Sequence, residues 1–149
     1  MFEFLNINPS VNAASLTFQC SIDGGSNYNV LQTTTLFRGN QNEDAGNATL
    51  SYLTGRDLGG GAGTGFQYLG FEIGNDADTT MVGELHLFNP SSTMYNTNWY
   101  ATIQLSTDAP ASQQTFPAGV FNTTSPINAI QFKTDSGNFD GTIKMYGIK

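Results

Sequence analysis

Few residues in this chain could carry out acid–base or nucleophilic chemistry. His86 is the only histidine. It alternates with Leu85 and Leu87, so it projects from the polar side of a strand. An imidazole there could serve as a general base toward one of the many Ser or Asp side chains. A nucleophile must sit within hydrogen-bond reach of its base, however, and no Gly-x-Ser-x-Gly turn occurs to hold one. Cys20 is the single cysteine; with no partner for an internal disulfide and no cation close in sequence, it reads as a small buried hydrophobe. One histidine and one cysteine do not make a zinc site. Asp76-Ala77-Asp78, with Glu84 following, could offer carboxylates to calcium, but the central glycine and spaced ligands of an EF-hand loop are missing, and a solvated turn is expected. The 12 acidic residues would always permit some pair to face each other, so glycoside hydrolysis by paired carboxylates has no specific signal. No catalytic, cofactor-binding or metal-ligating residue is expected, and the chain reads as a non-enzyme.

The run Gly59-Gly60-Gly61-Ala62-Gly63-Thr64-Gly65 invites comparison with phosphate-binding loops. Neither the Lys-Ser/Thr of a P-loop nor the dinucleotide spacing is present, and the run is expected to cross a sheet edge as a loop. Asn47-Ala48-Thr49 and Asn122-Thr123-Thr124 match the glycosylation pattern, which is idle without a secretory signal. Tyr68, Tyr95, Trp99 and Tyr100 could stack on sugar rings if exposed, with Tyr95 and Trp99 the first candidates. In a sandwich most rings are core.

These side chains must be positioned by strands. The chain has 149 residues, about one domain, with 38% hydrophobic and only 11% charged residues. Its polar surface therefore consists of Asn, Thr, Ser, Gln and Gly, which suit short strands and turns. The net charge of −7 leaves no basic face for nucleic acid or for an anionic membrane. Met1 to Ser10 is neither basic nor continuously apolar, so no signal peptide is expected, and no apolar run reaches membrane-spanning length. A soluble protein made in a reducing cytoplasm is expected.

Leu16, Phe18, Cys20 and Ile22 alternate with Thr17, Gln19 and Ser21, the pattern of a strand with one buried and one wet face. A turn at Asp23 to Asn27 leads to a second strand over Tyr28 to Phe37, then a polar loop from Arg38 to Gly46. Further strands are expected over Thr49 to Leu53, Phe66 to Ile73, Met81 to Phe88, Trp99 to Leu105 and, briefly, Phe116 to Phe121. Ile127 to Phe132 and Thr142 to Ile148 are expected to close the fold as a pair turning at Ser136-Gly137-Asn138. This spacing predicts an all-β, antiparallel, jelly-roll-like β-sandwich forming a single domain over residues 1–149. Leu16, Phe18, Cys20, Ile22, Leu85, Leu87, Ile103, Ile130, Phe132, Ile143 and Met145 are expected in its core.

Three segments carry a resemblance. They are Ser21-Ile22-Asp23-Gly24-Gly25-Ser26-Asn27-Tyr28, Gly83-Glu84-Leu85-His86-Leu87-Phe88-Asn89-Pro90, and Ile127 to Phe132 followed by Ser136 to Gly147. In this order the chain resembles a β-rich module of tailed-bacteriophage virion proteins, which occurs in head decoration and in tail fibres. The resemblance implies a non-enzymatic virion component with no catalytic residues to transfer. One module beginning at Phe2, with no shaft, fits a capsid decoration or cement protein on the exterior of the particle, bridging subunits of the major capsid protein. A homo-oligomer, foremost a trimer, is expected. The alternative is a tail-fibre or tail-tip module binding a host surface glycan.

Overall fold

A computed structural model describes residues 1–148. Ten strands follow in chain order: β1 (Phe2–Pro9), β2 (Ala14–Ser21), β3 (Gln32–Asn42), β4 (Ala48–Tyr52), β5 (Gln67–Ile73), β6 (Met81–Phe88), β7 (Asn98–Ser106), β8 (Ala111–Phe121), β9 (Ala129–Thr134) and β10 (Phe139–Met145). One 3-10 turn, Gly60–Thr64, precedes β5. A seven-stranded sheet in the order β10-β1-β6-β7-β8-β3-β4 packs against a three-stranded sheet in the order β5-β2-β9. The named strand pairs are all antiparallel. The antiparallel β-sandwich expected from the alternating pattern is the observed fold, with the chain passing repeatedly between the two sheets.

The core lies between the sheets. Phe18 of β2 meets Trp99 of β7 edge-on at 4.8 Å and Phe121 of β8 at 6.2 Å. Phe132 of β9 receives Phe2 and Phe4 of β1, both edge-on. Such ring pairs add about 0.5–1.5 kcal/mol beyond their burial. In β1 both Phe4 and Ile7 are fully buried, although three residues apart they should face opposite ways. A bulge resolves this: Asn6 has a φ of 54°, and the register shifts there against both β10 and β6. The extra residue turns Ile7 back into the core.

The edge of the small sheet is tied to the large one by side chains. As a strand β5 pairs only with β2, apart from an isolated bridge of Ile73 to Thr107 at its end, so the Leu69 and Phe71 carbonyls on its other edge have no strand partner. Thr115 Oγ1 of β8 donates to Leu69 O at 2.5 Å, and Gln113 Nε2 donates to Phe71 O at 2.9 Å. Both donors are fully buried. Gln113 Oε1 in turn accepts from Arg38 Nη1 at 2.6 Å, and the same nitrogen lies 3.1 Å from Glu72 Oε2. Buried polar groups on the inner faces thus replace ladder bonds that a fourth strand would make.

Several expectations are corrected. β2 has no wet face: all eight of its residues are buried, because it is the central strand of its sheet. Tyr68 and Lys133 lie opposite Thr17 on the two neighbours, and Gln19 donates to Val30 O, Thr64 O and Gly65 O. Ile22 is 43% exposed, since the strand ends at Ser21 and the chain turns away. Met145 is 77% exposed, because the narrow small sheet does not reach across the end of β10. Leu87, Ile130, Phe132 and Ile143 are only partly buried against the core.

The expected closing pair does not form. β9 (Ala129–Thr134) pairs with β2, whereas β10 (Phe139–Met145) pairs with β1 in the other sheet. Ser136 to Asn138 is therefore a corner between sheets, pinned by Ser10 N to Asn138 O at 2.8 Å and Thr134 Oγ1 to Gly137 O at 2.8 Å. The second strand begins at Gln32, not Tyr28, and the expected loop from Arg38 is strand as far as Asn42. Continuous pairing of β3 with all of β8, from Gln32 opposite Phe121 to Asn42 opposite Ala111, overrides the polar composition of both segments.

Candidate binding faces

The side chains first considered for chemistry are dispersed. Cys20 is fully buried, and burial pushes its thiol up to about 12, which leaves it un-ionised and inert. Asp76 acts through its carbonyl, which accepts from Asn8 Nδ2 and from Thr79 in a turn. Among the described residues no three His, Cys, Asp or Glu side chains cluster as metal ligands would. The glycine run forms the 3-10 turn beside β3, with Gly63 packed so tightly on Gln32 that a Cβ there would strike its carbonyl.

His86 projects from the outer face of the large sheet, as its alternation predicts, and it is held as a flat ring in a stack. It lies opposite Tyr100, with centroids 4.9 Å apart and an interplanar angle of 12°. Phe88 extends the group, 6.3 Å from His86 and 5.7 Å from Tyr100. His86 Nε2 lies 3.3 Å from Glu84 Oε2, though without hydrogen-bond geometry.

This stack is one side of an apolar corner. Phe2, Leu87, Ile127, Ile130 and Met145 line a groove of about 250 Å³ between the edges β9 and β10. Pro90 and Tyr146 carry that surface on to His86, Phe88 and Ile148. Met145, Ile148 and Phe88 are exposed. The N-terminal ammonium of Met1 also borders this surface, donating to Tyr146 O at 2.9 Å, and at the rim Glu3 Oε2 accepts from the Tyr146 hydroxyl at 2.9 Å and lies 3.6 Å from Lys144 Nζ. The hydrogen bond to Glu3, with some desolvation, raises the Tyr146 phenol above its usual range. An apolar centre, a polar rim and two unpaired strand edges are the features of a protein-docking surface.

The far side of the same outer face has a different character. Phe37 of β3 lies opposite Phe116 of β8 and Tyr52 of β4, and the Phe37 and Phe116 rings stack at 4.9 Å and 17°. Tyr52 is fixed by its hydroxyl, which donates to Asp57 Oδ2 at 2.5 Å; that bond raises its phenol above the usual range. Two residues along β3, Gly39 lies opposite Gln114 and Leu50. It floors a shallow trough of about 470 Å³, walled by Leu50, Gln104, Ser112 and Gln114. Sequence reasoning missed this arrangement because its members come from four strands and no local spacing marks them. The candidates it did name fare differently: Trp99 is only 2% exposed and belongs to the core, Tyr95 is 68% exposed on the β6–β7 loop, and Tyr68 lies under the Arg56 guanidinium at 4.5 Å.

The fold defines the chain as a single-domain antiparallel β-sandwich. Comparison with protein-family models, with curated proteins and with solved structures finds no match.

Proposed function

We propose that the chain is a non-enzymatic structural module of a bacteriophage virion, a decoration or cement protein that seats on the outside of the head. The observation that carries the docking part of this reading is the apolar corner formed by Phe2, Leu87, Met145, Tyr146 and Ile148 between two unpaired strand edges. Burying that corner against the major capsid protein would make separation of capsid subunits require its release, which stabilises the shell by linkage. A symmetric homo-oligomer, foremost a trimer, would engage several lattice copies at once and multiply weak contacts. The virion part of the reading rests on the three segments that resemble phage modules. Their residues have structural work here: Gly83 sits where a Cβ would strike the Thr102 carbonyl, and Gly141 has a φ of 138° against Ile7.

The test is copy number and attachment. Densitometry of purified virions against the major capsid protein should give on the order of hundreds of copies per particle, as lattice symmetry implies. Met145→Glu combined with Ile148→Glu should abolish incorporation while leaving the circular dichroism spectrum unchanged, since both side chains are exposed. A few dozen copies or fewer would favour the alternative, a tail-tip module. Unchanged incorporation of the double variant would overturn the corner as the docking surface.

A further inference from the structure

We propose that the trough over Gly39, with the Phe37–Phe116 step beside it, binds an uncharged oligosaccharide. This site shares only β7 with the docking corner, through Gln104 rather than Tyr100, and does not depend on it. Four features of the trough specify the ligand. First, its walls carry amides and hydroxyls: Gln104 Nε2 donates to Ser112 Oγ at 2.9 Å, while the Gln114 amide has no side-chain hydrogen bond among the described residues. Amides offer donor and acceptor together, which is what a sugar hydroxyl requires. Second, the stacked Phe37 and Phe116 rings stand two residues along the strand from the trough, roughly 7 Å away, comparable to a pyranose ring. Phe37 is 42% exposed, and with one ring face stacked on Phe116 its remaining apolar surface is available to the C–H side of a sugar.

Third, no lining residue of the trough is charged, in a chain of net charge −7. Glu43 and Asp44 stand just beyond Asn42 at the tip of the β3–β4 hairpin. An acidic glycan or a phosphate would meet like charge with no cation to bind it, whereas a neutral glycan loses nothing. Fourth, the volume of about 470 Å³ falls within the range of roughly 300–1,000 Å³ typical of small-ligand sites. A protein partner would be expected to seek the apolar corner, because the trough offers amides where a protein interface core is apolar.

Gly39 provides a clean test. A Cβ there would meet nothing within 4 Å, so Gly39→Val intrudes on the trough without strain at its Cβ and suits a strand. The wild-type chain is screened against immobilised neutral probes (mannan, β-glucan and N-acetylglucosamine oligomers) and acidic ones (hyaluronate and polysialate), with hits measured by titration. Binding to a neutral probe is expected, with at least tenfold loss in Gly39→Val and in Phe37→Ala, and with both variants folded by circular dichroism and still incorporated into particles. Absence of any neutral hit, binding confined to acidic probes, or full affinity in Gly39→Val would each overturn the proposal. Loss of incorporation in Gly39→Val would also overturn it, by making the trough a protein contact.

Discussion

Replacing Thr115 by valine tests how the two sheets are held together. The change keeps the shape of the side chain and removes one hydroxyl, the donor to Leu69 O at 2.5 Å. Thr115 is fully buried, and β5 has no strand on that side, so the carbonyl loses its donor where water does not readily replace it. A buried acceptor left unpaired costs about 1–3 kcal/mol. Taking about 2 kcal/mol, the melting temperature should fall by roughly 4–8 °C for a domain of this size. Urea unfolding followed by Trp99 fluorescence, with an unchanged m-value, measures it directly. Gln113→Met should cost a similar amount, because Phe71 O loses its donor and Arg38 loses an acceptor. The double variant should cost less than the sum, since an edge already released admits water to both carbonyls. Thr35→Val, on the exposed outer face, is the control and should stay within about 0.5 kcal/mol of the parent. If Thr115→Val also stays within about 0.5 kcal/mol, the sheets are clamped by apolar contact alone and the polar-edge argument is wrong.

Cys20, fully buried with its thiol pushed up to about 12, should resist a thiol reagent at pH 8 in the native protein and react fully once urea unfolds it; rapid native labelling would contradict its placement. Asp23 accepts hydrogen bonds from Ser21 and Asn27, which lower its carboxyl from 3.8 to about 2. Its contribution is therefore complete above the ordinary carboxyl value and is lost as pH falls through about 2. A carboxyl titration by NMR should place the midpoint near 2 in the native chain and near 4 in Asp23 of the unfolded chain, and equal midpoints would refute the turn network.

What the sequence disclosed depended on whether a residue's surroundings are local. β6 runs from Met81 to Phe88, as its alternation and the Asn89-Pro90 stop require. β4 and β5 lie within a residue or so of their expected bounds, and the all-β sandwich followed from that repeated pattern. Partnership was not legible. Nothing near Ile130 or Ile143 tells β9 to join β2 and β10 to join β1, because corner and hairpin use the same Ser-Gly-Asn chemistry. Burial of Gln19 was equally hidden, since its acceptors at Val30, Thr64 and Gly65 lie in distant segments. Trp99 and Phe37 illustrate the converse: an indole suited to stacking on sugar went to the core, and a phenylalanine suited to the core faces outward. The Gly39 trough exists only once β3, β4, β7 and β8 lie side by side.

The small sheet is written in three instalments, β2 near the start of the chain, β5 in the middle and β9 near the end. Neighbouring strands of the large sheet, by contrast, include the meander β6-β7-β8, whose members follow one another directly in the chain. A chain still being synthesised can therefore assemble much of one layer while the other lacks its third member. Until Thr134 has emerged, Phe18 and Trp99 lack the Phe132 side of their aromatic cluster. Closing such distant segments carries a loop entropy that local pairs avoid. Completion of the sandwich is thus a late event, and the order in which the ribosome delivers the strands sets when the protein first has a core to protect.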